Sequence, residues 1–294
     1  SPLTFRSIQG LYAPGSTFKM IVAIAGLYYG VINSDTDHYC NGKIALGDRL
    51  YHCWKNNGHG LMNVDSSIKE SCDVFFYEIS KKIGIDRIAK VAQDFGLGKI
   101  YNIPLSNQKL GIIPSKKWKK QKLGESWYPG ETLISAIGQG FVLANPLQLA
   151  NMTAIIASDG NIVEPKIIND NKKSDFENLK KYSEAIKIVK KSMFKVVNEN
   201  KGTAFKSKSE EVIFAGKTGT SQVRRITVAE RESEDFRKKE VEWNKRDHAL
   251  FVGYMPHNKP KYAISVVIEH GGSGASTAAP IAKQIFQYVN KIET

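Results

Sequence analysis

The spacing of apolar residues changes along the 294-residue chain, with helical repeats through its middle and short apolar runs late in it. The helical spacing predicts helices over 16–30, 64–84, 86–95, 132–158, 184–198 and 278–292, with a break near Ser71 in the second and a break at 138–140 in the fourth. The short runs predict strands over 212–215, 248–254 and 262–268. A turn segment with two prolines joins the last two strands, which are therefore expected to be antiparallel. These elements predict an α+β fold, a sheet with helices packed on it.

Three other stretches lack a clear apolar spacing. Residues 33–63 are polar and glycine-rich, which predicts a loop with short strands. Residues 99–131 are interrupted by glycines and prolines and predict a long irregular connection. Fifteen of the 24 residues over 224–247 are charged, with mixed sign. This last stretch predicts a mobile, solvated insertion between two strands.

The composition is that of a soluble globular chain. Hydrophobic residues make up 41% and charged residues 24%, which excludes disorder or a collagen-like repeat for most of the chain. The longest apolar run, 20–32, is too short to cross a bilayer and predicts a buried core helix. The net charge of +13 could indicate nucleic-acid binding. The lysines are widely spread and no nucleic-acid-binding motif accompanies them, which favours solvated faces.

Candidate chemistry begins at Ser16 and Lys19, an S-x-x-K sequence that follows Pro14-Gly15 and opens an apolar helix. At positions i and i+3 of a helix, the hydroxyl and the amine share one face. A serine becomes a good nucleophile only when a base takes its proton. A lysine can be that base only when neutral, and an ordinary lysine titrates near 10.4. This role for Lys19 therefore predicts burial and a second cation close to it.

Two later sequences could complete such a site. Lys217-Thr218-Gly219-Thr220 follows the predicted strand 212–215, and its alternation could present a cation and hydroxyls on one strand face. Gly219, without a side chain, would let a substrate backbone approach closely. Ser71-Cys72-Asp73 precedes an apolar helix face, where Ser and Asp are also ordinary N-cap residues. In the catalytic interpretation, Ser71 relays a proton between the two lysines and Asp73 holds them in place.

The order S-x-x-K, S-x-D and K-T-G, at offsets of 55 and 146 residues, resembles the motif set of penicillin-binding proteins and β-lactamases. Further similarity lies at 10–19, 58–60, 71–77, 137–140, 146–150, 217–223, 248–254 and 278–282. Essentially the whole chain resembles the transpeptidase domain of class B penicillin-binding proteins, in their elongation-specific branch. Asp73, where many relatives have asparagine, favours that branch. The resemblance implies a β-lactamase/transpeptidase-like fold, with an antiparallel sheet sandwiched by helices and an all-helical subdomain.

The resemblance also implies a mechanism. Ser16 would attack the penultimate residue of a stem peptide ending in D-Ala-D-Ala, Lys19 would take the proton, and Ser71 would protonate the leaving amine. The resemblance further places an oxyanion hole at the backbone N–H groups of Ser16 and Thr220. The substrate carboxylate would be held by the third motif, by Lys217, Thr218 and Thr220. β-Lactams would acylate Ser16, and no organic cofactor is implied.

Location and partners are likewise implied by the resemblance. Residues 1–294 would form one transpeptidase domain, cut from a longer protein whose membrane anchor and pedestal domain precede Ser1. The domain would act at the periplasmic face of the inner membrane and would itself be soluble. A glycan polymerase of the SEDS type and proteins of the elongation complex would be partners, and nucleic acid would not.

The three cysteines lie close together in sequence. Cys40, Cys53, His59 and Cys72 have the spacing C-x12-C-x5-H-x12-C, and three thiolates with one imidazole suit a tetrahedral zinc. A disulfide between Cys40 and Cys53, or three unlinked thiols, are the alternatives, and His52 is a rival ligand. The resemblance favours zinc, because some relatives carry it in this loop. Such a zinc would be structural, since four protein ligands leave no open position.

Two other functions compete with transpeptidation. A β-lactamase or β-lactam sensor could share this fold, but a hydrolase requires a dedicated base that activates water for deacylation. The second alternative is a non-catalytic scaffold or a basic nucleic-acid-binding module. Covalent labelling by a penicillin distinguishes the enzymes from the scaffold, and the lifetime of the adduct distinguishes the two enzymes.

Overall fold

The computed structural model describes residues 3–168, 177–224 and 241–293. Ten α-helices occur in these ranges: Arg6–Gln9 (α1), Lys19–Tyr28 (α2), Val64–Lys69 (α3), Asp73–Ile83 (α4), Ile85–Asp94 (α5), Lys116–Leu123 (α6), Pro129–Ala136 (α7), Pro146–Ala157 (α8), Ser183–Asn198 (α9) and Ala279–Glu293 (α10). The strands in the same ranges are His38–Cys40 (β1), Lys43–Leu46 (β2), Arg49–His52 (β3), Gly60–Met62 (β4), Ala215–Ser221 (β5), His248–Met255 (β6) and Tyr262–Ile268 (β7).

The main sheet is antiparallel, with the order β5-β6-β7. Thr218 pairs with Phe251, which in turn pairs with Val266, so the register joins all three strands at one level. The hairpin predicted for the last two strands is confirmed. In the part of the chain that is described, β5 forms one edge of this sheet, and α8, α9 and α10 pack against its strands. The predicted α+β fold, an antiparallel sheet with helices packed on it, is confirmed.

Helix α2 lies at the centre of the helical part, where it packs against α4, α5 and α9. Every residue from Lys19 to Gly26 is buried, so the apolar run is the core helix that its length predicted. Across the described ranges, no helix combines the length and the apolar character needed to cross a bilayer. The core helix therefore carries the S-x-x-K lysine into the interior, away from water.

Two expectations for irregular or extended segments were wrong. The segment 99–131 contains the helix α6, which the Ser115 side chain caps by accepting from Trp118 N–H, and which ends at Gly124 with φ +72°. Its lysine-rich sequence concealed it, because Lys119 is buried against Glu131 rather than exposed. The predicted strand 212–215 instead begins at Ala215 and contains the whole Lys217–Thr220 motif.

Other predicted elements are confirmed. The break near Ser71 separates α3 from α4, and the break at 138–140 separates α7 from α8. The loop 33–63 contains two small antiparallel ribbons, β1 with β4 and β2 with β3. The mobile insertion predicted over 224–247 lies mainly at 225–240, outside the described residues.

Candidate active site

The S-x-x-K sequence forms a tight turn that leads into the core helix. Ser16 lies in the 3₁₀ turn Gly15–Phe18, and the Lys19 backbone N–H donates to the Ser16 carbonyl. Thr17 Oγ1 donates to the Pro14 carbonyl at 2.7 Å, which ties the turn to the preceding proline. Ser16 is half-buried while the Lys19 side chain has no exposed surface. The turn therefore leaves Ser16 partly exposed, while the amine three positions later is shielded from water.

The Lys19 amine joins the first motif to the second. Its Nζ donates to Asp73 Oδ1 at 2.6 Å, to Ser71 Oγ at 3.2 Å and to the Ser71 carbonyl at 2.9 Å. Burial raises the pKa of the Asp73 carboxyl, and the charge of Lys19 opposes this effect. Residues 52 and 54 positions apart in sequence therefore meet in one buried cluster.

The break between α3 and α4 aims Ser71 at this amine. Ser71 has φ +57°, a left-handed conformation that a residue with a β-carbon rarely adopts. Such a backbone costs about 1–3 kcal/mol and persists where surrounding contacts impose it. Asp73 then begins α4, where the helix dipole favours a carboxylate. The N-cap explanation of this motif is insufficient, because neither Ser71 nor Asp73 uses its side chain to cap the helix.

Lys217 is fully buried on β5, and its Nζ donates to the Thr218 carbonyl at 3.2 Å. Burial first, and then the charge of Lys19, hold the pKa of Lys217 well below its usual range, while Asp73 opposes them. The third motif lies beside the first, because β5 packs against the turn Gly15–Phe18. Lys217 is the second cation that the sequence predicted near Lys19.

The four residues of the third motif do not share one face of the strand, which corrects the sequence prediction. Successive side chains of a strand point to opposite faces, so Lys217 and Gly219 share one face while Thr218 and Thr220 share the other. The Thr218 hydroxyl lies 2.7 Å from the hydroxyl of Thr203, in the segment after α9. The cation and the hydroxyl groups therefore lie on opposite faces of the strand β5.

Gly219 is needed for packing within the protein rather than only for a substrate. A β-carbon there would lie 2.9 Å from Thr17 Cγ2 and 3.0 Å from the Pro14 carbonyl oxygen. The absence of a side chain thus lets the turn Gly15–Phe18, here called the Ser16 turn, pack directly on β5. The sequence attributed the close approach to a substrate backbone, but the turn that carries Ser16 already occupies it.

Replacement of Gly219 by alanine is therefore expected to slow acylation of Ser16 by at least about tenfold, because the added methyl displaces the turn. The rate of penicillin acylation measures this, with a thermal melt to confirm folding. Gly26→Ala is the matched control, since its methyl would meet side-chain atoms rather than backbone, of Ile32 at 3.1 Å and of Ile83 at 3.4 Å. Equal acylation rates for Gly219→Ala and the native chain would contradict this packing role.

Gln139, which the sequence did not single out, lies between the Ser16 turn and β5. The Gln139 side-chain amide donates from Nε2 to the Thr220 carbonyl at 2.9 Å. Its neighbour Gly138 accepts the Gly15 backbone N–H through its carbonyl, at 2.9 Å. In the sequence, Gln139 lay in the break at 138–140 and in the segment 137–140 of the resemblance, and neither signal indicated this contact.

Residues of the loop 40–59 also contact the second motif, Ser71-Cys72-Asp73. The Trp54 backbone N–H donates to Asp73 Oδ2 at 2.9 Å, and its indole N–H donates to the Ser71 carbonyl at 3.0 Å. The Asp73 N–H points to Cys53 Sγ at 3.3 Å. Trp54 was also missed from sequence, although it directly follows a predicted metal ligand.

Cys40, Cys53, His59 and Cys72 form a cluster that could hold a metal ion. Their ligand atoms all lie within 4.8 Å of one another, and all three cysteines are buried and free of disulfides. His59 Nδ1 lies 3.6 Å from Cys40 Sγ and 3.5 Å from Cys53 Sγ. The rival His52 is not in the cluster.

These separations fit a tetrahedral metal. With Zn–S bonds of about 2.3 Å and Zn–N bonds of about 2.0–2.1 Å, tetrahedral geometry separates a sulfur and a nitrogen ligand by roughly 3.5 Å. A hydrogen bond from Cys72 is the largest cause that lowers the pKa of Cys53, while the same bond raises the pKa of Cys72. The donor set and its spacing thus suit a soft divalent cation bound by thiolates.

Known proteins of one family share this architecture. A family model for the penicillin binding protein transpeptidase domain matches residues 1–287. The peptidoglycan D,D-transpeptidase MrdA of Haemophilus influenzae is 33% identical over 300 residues, which cover 98% of this chain and 46% of the relative. MrdA of Acinetobacter baumannii is 35% identical over 299 residues, covering 98% and 44%. The chain spans about half the length of these curated relatives.

Solved structures agree with the sequence relatives. The crystal structure of Pseudomonas aeruginosa PBP2 in complex with WCK 5153 superposes with a TM-score of 0.85 at 35% identity, covering 98% of this chain and 63% of that one. The complex between PBP2 and MreC from Helicobacter pylori gives 0.87 at 32% identity, with coverages of 99% and 51%. The contact of the first two motifs at Lys19 and these matches together mean that the chain belongs to the penicillin-binding protein transpeptidase family.

Proposed function

We propose that residues 1–294 form the catalytic domain of a peptidoglycan D,D-transpeptidase that works through a Ser16 acyl-enzyme. The observation that carries this proposal is the buried Lys19 amine, three positions from Ser16 and within hydrogen-bonding distance of Ser71 Oγ and Asp73 Oδ1. A serine nucleophile requires a base beside it, oriented by a further group. Lys19 is that base here, and Asp73 orients it.

The chemistry begins with acylation. Ser16 Oγ bonds to the carbonyl carbon of the penultimate D-Ala of a stem peptide, and its proton passes to Lys19. The bond to the terminal D-Ala then breaks, as Ser71 gives a proton to the departing amine and regains one from Lys19. An ester on Ser16 and a free D-Ala result. The amine of a second stem peptide attacks this ester, its proton returns to Ser16, and a cross-linking amide forms.

The negative charge that develops on the carbonyl oxygen is stabilised by the backbone N–H groups of Ser16 and Thr220. β5 is an edge strand, and its Thr220 carbonyl is directed outward to Gln139. The N–H and C=O groups of one strand residue point to the same side, which directs the Thr220 N–H outward as well. Preorganised donors of this kind typically contribute about 10²–10³ in rate.

The terminal carboxylate of the stem peptide binds at the third motif. Lys217 supplies a nearby cation, and Thr218 and Thr220 supply hydroxyl groups at the edge of β5. Thr218 is held by its contact with Thr203, which fixes its rotamer before substrate arrives. Because β-lactams present an equivalent carboxylate beside a reactive carbonyl, they acylate the same serine.

Zinc is the metal that we propose for the cysteine cluster, with Cys40, Cys53, His59 and Cys72 as its ligands. When bound, zinc supplies a structural cross-link and no open coordination position. Cys72 lies between Ser71 and Asp73, and Cys53 accepts the Asp73 N–H. These four side chains would thereby fix the second motif against the loop 40–59. No organic cofactor takes part in the proposed reaction.

The relatives suggest a cellular setting. The Helicobacter pylori structure is a PBP2 with MreC, and a further similar structure is of a peptidoglycan synthase complex in which polymerization and crosslinking are coordinated. We propose that this chain likewise acts at the periplasmic face of the inner membrane, with a SEDS-type glycan polymerase and elongation proteins as partners.

A coupled assay tests the function. A donor peptide ending in D-Ala-D-Ala and an amine acceptor should give a cross-linked product and one free D-Ala per cross-link, while Ser16→Ala gives neither. Ser106→Ala is the matched control, because Ser106 belongs to an exposed copy of the same S-x-x-K spacing. A penicillin adduct that turns over within seconds would instead identify a β-lactamase. Full activity in Ser16→Ala would refute an acyl-enzyme on this serine.

A further inference from the structure

The segment between α7 and α8 contacts both halves of the proposed oxyanion hole. Gly138 accepts the Gly15 N–H, one residue before the nucleophile, and Gln139 Nε2 donates to the Thr220 carbonyl. The two contacts come from adjacent residues of one turn. Because the two oxyanion donors belong to Ser16 and Thr220, this turn fixes their separation.

The turn 138–140, the Ser16 turn and β5 are packed so closely that no side chain fits between their backbones. A β-carbon on Gly138 would lie 2.1 Å from the Gly15 carbonyl oxygen, and one on Gly15 would lie 2.4 Å from the Thr220 carbonyl oxygen. Both glycines have positive φ, +69° and +54°. The backbones of the turn, the nucleophile segment and β5 are thus stacked in direct contact, and Gln139 supplies the side-chain bond across the stack.

Two outward carbonyls of the β5 edge, those of Thr218 and Thr220, are satisfied from within the protein. The Thr218 carbonyl accepts from Lys217 Nζ at 3.2 Å, and the Thr220 carbonyl accepts from Gln139. An edge strand otherwise presents both donors and acceptors to whatever binds there. The bond from Gln139 fixes the direction of the Thr220 carbonyl and, with it, the direction of the Thr220 N–H that faces the reacting carbonyl oxygen.

We propose that Gln139 is a positioning residue for the oxyanion hole, a role that rests on the proposed acyl-enzyme function. Its amide holds the Thr220 carbonyl and so fixes the direction of the Thr220 N–H. It touches no substrate atom in this role. A glutamate at 139 would keep the size of the side chain but would set a carboxylate against the carbonyl, which repels β5 from its position.

The test compares Gln139→Glu and Gln139→Ala with the native chain in stopped-flow acylation by a penicillin. The rate constant of acylation should fall about ten- to hundredfold, less than loss of an oxyanion donor itself. The prior non-covalent dissociation constant should change less than about threefold. A boronic acid that forms a tetrahedral adduct on Ser16 should lose affinity by the same factor as acylation, because its oxygen occupies the oxyanion hole.

Gln108→Glu is the matched control. Gln108 Nε2 donates to the Tyr101 carbonyl at 2.8 Å, the same kind of bond in a loop distant in sequence from the motifs. This variant should keep native acylation and native boronate affinity. If Gln139 had only a structural role, both variants would have a lower melting temperature. They would also weaken non-covalent penicillin binding and boronate binding by the same factor.

Native acylation rates in both Gln139 variants would overturn the positioning role, and so would slower acylation with unchanged boronate affinity. If Gln139→Glu does not fold, Gln139→Ala decides the question by the same two readouts. A native chain that no penicillin acylates would overturn the acyl-enzyme function and this role with it. If the native chain and both Gln139 variants are acylated at the same rate, the positioning role of Gln139 is overturned while the acyl-enzyme function stands.

Discussion

Lys19→Met is expected to slow acylation of Ser16 by at least about 10³-fold, within the range that a general base contributes. Methionine keeps much of the volume of the fully buried lysine but has no amine to accept the serine proton. Lys19 Nζ also holds Ser71 Oγ and Asp73 Oδ1, so the substitution removes the centre of the cluster. Time-resolved incorporation of a fluorescent penicillin measures the rate.

Two controls separate the chemistry from stability. Lys109→Met changes the exposed lysine of the Ser106 copy and should acylate at the native rate. Lys19→Met leaves Asp73 without its cation, and breaking a buried ion pair costs about 3–5 kcal/mol. The double variant Lys19→Met/Asp73→Asn removes that stranded carboxylate and should regain stability without regaining acylation. Native acylation in the stable double variant would contradict a base role for Lys19.

Removal of zinc is expected to destabilise the domain and to slow acylation together. Structural zinc sites contribute about 10–16 kcal/mol of apparent binding free energy in small peptides. Even several kcal/mol lost here would lower the melting temperature by about 10 °C in a chain of this size. Acylation should slow because Asp73 loses the fixed Cys53 sulfur that accepts its N–H. Metal analysis, melting and penicillin acylation before and after chelation measure the three effects.

His59→Ala should lose the metal, whereas His52→Ala should retain one equivalent, because His52 lies outside the cluster of four ligand atoms. Both variants are to be compared by metal content first and by melting second. Less than about 0.2 equivalents of zinc in the native chain, with a Cys40–Cys53 disulfide peptide in mass spectrometry, would contradict a metal site and favour the disulfide alternative.

The spacing of apolar residues predicted the fold best where neighbouring residues alone decide the structure. The core helix α2 was predictable because an uninterrupted apolar run can only be buried. The strand β5 was not, because glycine and lysine have low strand propensity and only pairing with β6 makes the segment extended. Helix α6 was hidden for a related reason, since the burial of Lys119 depends on Glu131, which lies beyond the helix.

The candidate site divides in the same way. Ser16 and Lys19 are linked by helical spacing, which a sequence displays directly. The contact of Lys19 with Asp73 follows from no local spacing, since 54 positions separate the two residues, and it was predicted only by the catalytic interpretation of the motifs. Gln139 and Trp54 act through bonds to backbone carbonyls, which any residue provides, so no pattern of residue types indicates them.

The adduct of a fluorescent penicillin tests the central role of Ser16 most directly. The protein is labelled, digested with trypsin and mapped by mass spectrometry, for the native chain, Ser16→Ala and Ser106→Ala. The adduct is predicted on the peptide 7–19 of the native chain and of Ser106→Ala, long-lived in both, and absent from Ser16→Ala. An adduct that persists in Ser16→Ala, or that maps to any other peptide, would contradict Ser16 as the nucleophile.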